Sequence, residues 1–357
     1  LSLADTDAGA AASVNAATMN AAHDAGLRSA MCSVRWAFED NRSRPMPAAA
    51  PKPSELTHLR PRNTRAVLHL LGCVSGTASS LYLSSQPSLW AWLAGQVVLA
   101  VFLVQWFVFL HECGHGVLFR SKRVNTLVGH LASLFCGIPY HCWTPIHGMH
   151  HKWTGWQDRD PTTAGLVPRP LGRAEKLVLD VCWRFWIPLF TLVYRVTNFW
   201  NLPRLQQLFA RGATTRLVNA ALLLLIYGAT IWSVGFGQLF RLFGLAVLLS
   251  MIFLDPLMLS QHTHIPMQVS DGGEVAPFAA RDQLPFTRSL RFPRWFSTAV
   301  LLHFDAHELH HMYPQVPGYD LRRIDFATDN EAVWWRWIWM ARRLPAHVFL
   351  FSNRTQS

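Results

Sequence analysis

"AVLHLLGCVSGTASSLYLSSQPSLWAWLAGQVVLAVFLVQWFVFLHECGH", residues 66–115, runs from Ala66 to Leu110 without a lysine, arginine, aspartate or glutamate, then sets two histidines around a glutamate. A helix crossing hydrocarbon needs about 20 apolar residues. The run therefore holds two crossings joined at "SSQPS" (84–88), where proline and small polar residues break the helix. The pattern returns later. Leu217–Phe240 is free of charge, and only Arg241 separates it from Leu242–Leu254, with a turn near "VGFGQ" (234–238). The expected fold is an all-α integral membrane protein of four transmembrane helices in two hairpins, with spans at about 66–84, 89–110, 217–235 and 240–259.

Composition agrees. Of 357 residues, 51% are hydrophobic and 15% charged, against about a quarter charged in an ordinary soluble domain. The net charge is +11. The basic residues are scattered between spans and form no stripe with interleaved aromatics, so nucleic acid is excluded in favour of a membrane surface or an acidic protein partner. Six cysteines, at 32, 73, 113, 136, 142 and 182, form no CxxC pair and read as free packing thiols. Residues 1–60 are rich in Ala, Pro and polar residues and lack periodicity, so a disordered leader is expected there. It has no apolar segment of a secretory signal, and its acidic residues argue against a transit peptide. Met46 begins a plausible compact start, which makes the preceding residues an upstream start or a fragment boundary. The membrane domain is expected over 61–345, followed by a tail at 346–357.

Three histidine clusters stand out: "HECGH" (111–115), "HGMHH" (147–151) and "HELHH" (307–311). Two crossings precede the first cluster and two more lie between the second and third, so parity places all three on one face. That requires Asn125–Ile146, also charge-free, to be interfacial or re-entrant; Pro139, Pro145, His130 and His141 interrupt it. "LVLDVCWRFWIPLFTLVYR" (177–195) and "VWWRWIWMARR" (333–343) mix apolar, tryptophan and basic residues, as helices lying in the interface do. The loop 116–216 carries thirteen Lys/Arg and four Asp/Glu, whereas the two opposite turns share one Arg. The positive-inside tendency then makes the histidine face cytoplasmic.

His69, His130 and His347 are isolated and read as satisfied packing residues; His23 and His58 receive no role. The clusters differ. His111 and His115 are spaced i, i+4; His147, His150 and His151, like His307, His310 and His311, are spaced i, i+3, i+4, each set on one helical face. Imidazole suits Zn, Cu, Fe and Ni. One tetrahedral zinc takes only four ligands, so eight clustered histidines fit two metals, and two adjacent redox metals with neutral ligands point to iron and dioxygen. Asp158, Asp160, Asp305 and Glu308 are placed to accept the free ring N–H of liganding histidines.

These boxes resemble the three histidine boxes of the membrane fatty acid desaturases. "QHTHIP" (261–266) resembles a Gln-His-Thr-His-Pro stretch of acyl-lipid desaturases, "HHMYPQVPGYDL" (310–321) resembles the ending of the third box, and "HHKWTGWQDRDPTT" (150–163) the stretch after the second. The likeness covers about residues 66–325. Two features depart from it: His303 stands four residues before the third box, and no His-Pro-Gly-Gly of a fused cytochrome b5 is present. The resemblance implies four spans under a cytoplasmic helical cap holding a di-iron centre. His111, His115, His147, His150, His151, His307, His310 and His311 would be ligands, with one or both of His262 and His264 completing the set. Of that pair His264, nearer the cap, is the favoured ligand. Glu112 would at most support a ligand, with Asp158, Asp160, His303, Asp305 and Glu308 around it, and no catalytic residue beyond the metal ligands is implied. The implied reaction is O2-dependent removal of two hydrogens from the acyl chain of a membrane lipid or acyl thioester, held in an apolar tunnel. Electrons would come from a separate ferredoxin or cytochrome b5 steered by the basic face.

Three other readings compete. A hydroxylase, acetylenase or carotenoid-modifying enzyme would use the same iron site. "HECGH" is also an HExxH zinc-protease motif with Glu112 as base and Asp255 of "FLDPLM" as third ligand, though such a protease has no use for two HxxHH boxes. A non-catalytic scaffold would predict decayed boxes, and all three are intact.

Overall fold

The computed structural model describes residues 50–351. Residues 1–49 of the expected disordered leader, with Met46, and residues 352–357 of the expected tail fall outside them. The first hairpin is α1 (Asn63–Ser85) and α2 (Leu89–His115). Two short helices follow, α3 (Lys122–Cys136) and α4 (Tyr140–Trp153), then α5 (Arg173–Arg184), α6 (Leu189–Arg195) and α7 (Leu202–Leu208). The second hairpin is α8 (Ala213–Val234) and α9 (Phe236–His262), turning at Gly235. Among the described residues these four helices are each long and apolar enough to cross a membrane, and the bent pair Arg173–Arg184 with Leu189–Trp200 would make a fifth if it were one span. All four begin and end within a few residues of the expected spans, except that α2 and α9 run further, into the histidines.

α2 is the axis of the bundle. It packs against α1, α3 and α9, and its polar groups are satisfied within the helix layer. Gln96 Nε2 donates to Leu242 O (2.7 Å) while its Oε1 accepts from Ala246 N (2.9 Å). Trp106 Nε1 donates to Thr77 Oγ1 (3.0 Å). Unpaired, each such group would be expensive in hydrocarbon. The outer faces of α1 and α8 are apolar and exposed, as at Leu68, Leu225 and Trp232.

Asn125–Ile146 does not form one long helix. It divides between α3 and α4 at Gly137–Pro139, and α3 has 15 residues, about 22 Å, short of the roughly 30 Å hydrocarbon core. The expected interfacial helix over 177–195 is also divided: α5 and the segment Leu189–Trp200 meet at 113°, because Pro188 cannot continue α5.

The remaining elements, called the cap below, are β1 (Ser289–Arg291), α10 (Arg294–Ala299), α11 (His307–Met312), α12 (Gly318–Leu321), β2 (Glu331–Val333), α13 (Trp334–Ala341) and α14 (Ala346–Phe351). β1 and β2 pair in parallel, Ser289 with Glu331 and Arg291 with Val333, a small departure from the all-α expectation. α13 buries Trp337 and exposes Trp335 and Trp339, the pattern of an interfacial helix.

Two expected boundaries move. Residues 50–60 belong to the folded body: Leu56 and Leu59 are buried against Leu309, Met312 and Tyr313, and Tyr313 Oη donates to Pro51 O (2.7 Å). The leader therefore does not extend to residue 60. At the other end α14 lies inside the expected tail and stacks Phe349 on Trp183 (5.0 Å between rings).

Candidate metal centre

The last turn of α2 carries His111 and His115 on one face; Gly116, in the left-handed region (φ +72°), then ends the helix and donates to Cys113 O. α4 presents His147, His150 and His151, and α11 presents His307, His310 and His311. α9 stays helical through His262, the last residue of its final turn. The nine side chains converge into two groups, His111, His115, His147, His151 and His310 in one and His150, His262, His307 and His311 in the other. Ring nitrogens within each group lie within 4.8 Å of one another.

The HxxHH spacing explains the division. On a helix the i and i+4 residues flank one line and i+3 falls to its other side. His147 and His151 thus join the first group while His150 crosses to the second; His307 and His311 join the second while His310 crosses to the first. Each HxxHH box thus bridges both groups, whereas His111 and His115 both fall in the first. Glu112 and α12 meet closely here: a Cβ on Gly318 would stand 2.4 Å from Leu302 O and 3.1 Å from the Glu112 carboxyl carbon.

Four of the rings have their outward nitrogen against an oxygen. His150 Nδ1 lies 2.7 Å from Asp160 Oδ2, His262 Nδ1 3.0 Å from Phe286 O, and His311 Nδ1 2.9 Å from Gln283 Oε1. The Gln283 amide is oriented by its Nε2, which donates to His151 O (2.8 Å) and Phe278 O (3.2 Å). His111 Nδ1 lies 3.1 Å from Glu112 Oε1, whose partner oxygen accepts from Gly318 N (2.7 Å). Acceptors of this kind require Nδ1–H, which leaves Nε2 a bare lone pair. In the second group, three of the four rings therefore aim lone pairs at one spot, with His262 and His307 Nε2 only 2.8 Å apart. His111 Nε2 is buried without a hydrogen-bond partner. Lone pairs crowded this closely need a cation between them, so the residues fit a metal at each group. Burial first, and mutual repulsion second, hold His147, His151, His307, His310 and His311 well below the usual imidazole range, in the neutral form that binds metal.

Both groups border one cavity. His111 and His147 from the first and His150, His262 and His307 from the second share its wall with Phe107, Phe190, Tyr194, Met258 and Phe304. Trp143 stacks on His147 (4.3 Å, 21°). An apolar chain lying here would pass beside both groups.

Residues 87–345 match the sequence profile of the fatty acid desaturases. The chain belongs to the fatty acid desaturase family. Among its curated relatives, a probable fatty acid desaturase of Sorghum bicolor is 29% identical over 236 residues, 60% of this chain and 57% of that protein. The sn-1 acyl-lipid omega-3 desaturase (ferredoxin) of Synechocystis is 25% identical, covering 65% of this chain and 70% of its own length. An Arabidopsis thaliana acyl-lipid omega-3 desaturase (cytochrome b5) of the endoplasmic reticulum is 25% identical over 60% of this chain and 58% of its own length. The chain thus spans less than two thirds of the length of the Sorghum and Arabidopsis relatives.

In this family member, nine of the ten histidines expected at the centre are brought together and His264 is not. The expectation that favoured His264 over His262 is corrected. It rested on His264 lying nearer the cap, but the helix persists through His262 and carries that ring into the second group. Beyond it Thr263 is extended and His264 is left-handed (φ +55°), its ring toward Phe349 (6.2 Å). Of the supporting residues, Asp160 and Glu112 meet histidines of the groups as described. Burial works against the Asp160 carboxylate, but His150 and the Thr162 N–H outweigh it and hold it below the usual carboxylate range.

Four expected supporters serve the frame of the cap instead. Asp158 accepts from Ser270 N (2.9 Å) and Ser270 Oγ. Asp305 accepts from Ser297 Oγ (2.7 Å) and Arg322 (2.9 Å). His303 Nδ1 meets Ser297 Oγ (2.9 Å). Glu308 accepts from Asn330 N (3.0 Å); one position after His307, it points about 100° around α11, and burial raises its carboxyl to about 7. The sequence reasoning missed Gln283, the Phe286 carbonyl and Thr162, whose Oγ1 lies 3.0 Å from His150 Nδ1. Thr162 stands in the quoted stretch after the second box; Gln283, in the loop 280–286, has no sequence signal.

Proposed function

We propose that the chain is an O2-dependent fatty acyl desaturase with two irons, one at each histidine group. His111, His115, His147, His151 and His310 would hold the first and His150, His262, His307 and His311 the second. The observation that carries the reading is the set of inward lone pairs in two groups bordering one apolar cavity. When bound, the iron pair would supply the oxidising power that removes two hydrogens from the acyl chain. The protein's own part is positioning. Asp160, Gln283, Glu112 and the Phe286 carbonyl keep the rings of His150, His311, His111 and His262 turned with Nε2 inward. Phe107, Phe190, Met258 and Phe304 exclude water and hold methylene groups against the histidine wall. Four spans with the histidine face in the cytoplasm, and an external ferredoxin or cytochrome b5 as electron donor, complete the proposal. The names of the Synechocystis and Arabidopsis relatives favour a donor of either kind.

The zinc-protease reading is disfavoured by two contacts. Both carboxylate oxygens of Glu112 are engaged, by His111 and by Gly318 N, and Asp255 accepts from Thr191 N (2.6 Å), outside both groups. The test is lipid profiling of cells expressing the chain. New double bonds that disappear with His111→Ala or His307→Ala support the proposal; hydroxylated chains in their place would favour the sibling oxygenase, and an unchanged lipid profile would refute it.

A further inference from the structure

β1 and β2 lead into α10 and α13, and both helices turn tryptophan outward. Trp295 of α10 is 69% exposed, and Trp335 and Trp339 of α13 are 53% and 62% exposed. Trp335 and Trp339 stand one helical turn apart, on one face. Each carries a guanidinium over its ring, Arg336 at 5.4 Å and Arg343 at 5.1 Å. Arg294, next to Trp295 in sequence, is also exposed. Residues 289–300 and 332–343 contain no aspartate or glutamate, and Glu331 is engaged by Arg322 (2.8 Å). Phe292 joins the two helices, stacking on Trp334 (5.2 Å) and packing on Phe296 (5.6 Å). Phe253 of α9 lies against Phe292 and Phe296 (6.0 and 5.8 Å), about 13 Å below His262 along the helix. α10 thus stands beside the body of the fourth candidate span. The inner side of α13 reaches the second histidine group. Trp337 is buried, with Phe349 and the Arg288 guanidinium each 5.8 Å from its ring. Arg288 Nη1 donates to Ser260 O (2.9 Å) and Thr263 O (3.0 Å), and its Nη2 to His264 O (3.2 Å). These carbonyls bracket His262 at the end of α9.

We propose that α10 and α13 form a docking surface for the head groups of anionic phospholipids, and that seating on them steadies the turn of α9 that carries His262. Indole rings belong at the level where hydrocarbon meets head groups. A guanidinium offers a planar fork of N–H groups that matches a phosphate, and stacking on an indole holds that fork in place. An acidic soluble protein would match the positive charge but would leave three exposed tryptophans beside a span unexplained; an anionic bilayer accounts for both. Trp337 and Arg288 carry the effect inward, since the same helix that meets the lipid packs on the residue that grips the end of α9. The lipid surface is independent of the reaction assigned to the histidines. Only its effect on His262 rests on the two-metal reading.

The test uses the full chain in bilayer nanodiscs of phosphatidylcholine, with or without phosphatidylglycerol. Phosphatidylglycerol is expected to slow amide hydrogen exchange over residues 334–343 and iron loss to a chelator, each by about fivefold or more, the effect of roughly one arginine at an anionic surface. High salt should weaken both effects. Arg294→Gln combined with Arg343→Gln, two exposed changes outside the histidine groups, should abolish the response to phosphatidylglycerol and leave exchange in phosphatidylcholine unchanged. Equal exchange in the two lipids, or a double variant that still responds, would overturn the proposal. Protection by soluble glycerol phosphate without anionic lipid would overturn it in favour of a phosphate site. Protection by an added acidic protein, with none from phosphatidylglycerol, would overturn it in favour of a protein dock. Slowed exchange with unchanged iron loss would support the lipid surface and refute its link to His262. Slowed exchange in a chain that forms no desaturated product would support the surface and count only against the assigned reaction.

Discussion

Replacing Asp160 by asparagine should empty one metal group and spare the other. Asp160 is fully buried. Its Oδ2 faces His150 Nδ1 at 2.7 Å, and its Oδ1 accepts from both Thr162 N and Thr162 Oγ1 at 2.8 Å. An asparagine has one oxygen for these two places. A backbone N–H cannot accept, so the oxygen must stay with Thr162 and the amide NH2 must face His150. The ring then has to accept at Nδ1 and carry its proton on Nε2, pointing into the second group. Restoring the metal-binding tautomer would sacrifice a hydrogen bond to a charged or buried partner, about 2 kcal/mol, or roughly 30-fold in metal affinity, within the 10- to 100-fold range for residues that orient ligands. At limiting free iron, purified Asp160→Asn should fall from about two irons per chain to about one, with loss of desaturated product and an unchanged helical circular dichroism spectrum. Both irons retained with turnover within twofold of the wild type would refute the tautomer argument.

The two histidines after the fourth span should behave unequally: His262→Ala should lose second-group iron and product, whereas His264→Ala should keep both irons and most turnover, and iron loss in His264→Ala would overturn the placement. Gly318→Ala forces a Cβ to 2.4 Å from Leu302 O and should destabilise the cap by about 1–3 kcal/mol, read as a lowered unfolding midpoint in detergent; an unchanged midpoint would contradict the close approach. Burial keeps His147, His151, His307, His310 and His311 neutral in the fold, while the unfolded chain binds protons at histidine below about pH 6.5. Stability and metal retention should therefore be flat above that pH and decline as pH falls through it; a midpoint constant from pH 7.5 to 5.5 would refute this.

The four long helices were legible because charge-free runs have few physical outcomes, and the shared histidine face followed from counting crossings. The HxxHH spacing carried the division between the groups as well, since i+3 and i+4 diverge around a helix. Sequence proximity misled where chain direction mattered. Asp305 and Glu308 neighbour His307 in sequence yet turn into the cap frame, whereas Asp160, ten positions from His150, reaches its ring. His264 was misjudged because where a helix ends depends on packing: α9 runs two residues into "QHTH" and fixes which imidazole faces inward. Gln283 comes from a loop with no periodicity, and only the folded cap brings it to His311. Leu56 and Leu59 lie in an Ala/Pro-rich stretch that looked unstructured, and they are buried because Leu309, Met312 and Tyr313 offer them an apolar surface.

The central claim is that these nine histidines hold two irons that act on an acyl chain. Elemental analysis of purified, active protein tests it most directly. The account predicts about two irons per chain and little zinc, falling to about one in His262→Ala, with desaturated product lost alongside. Active protein with a single metal per chain, or with stoichiometric zinc and no iron, would contradict it.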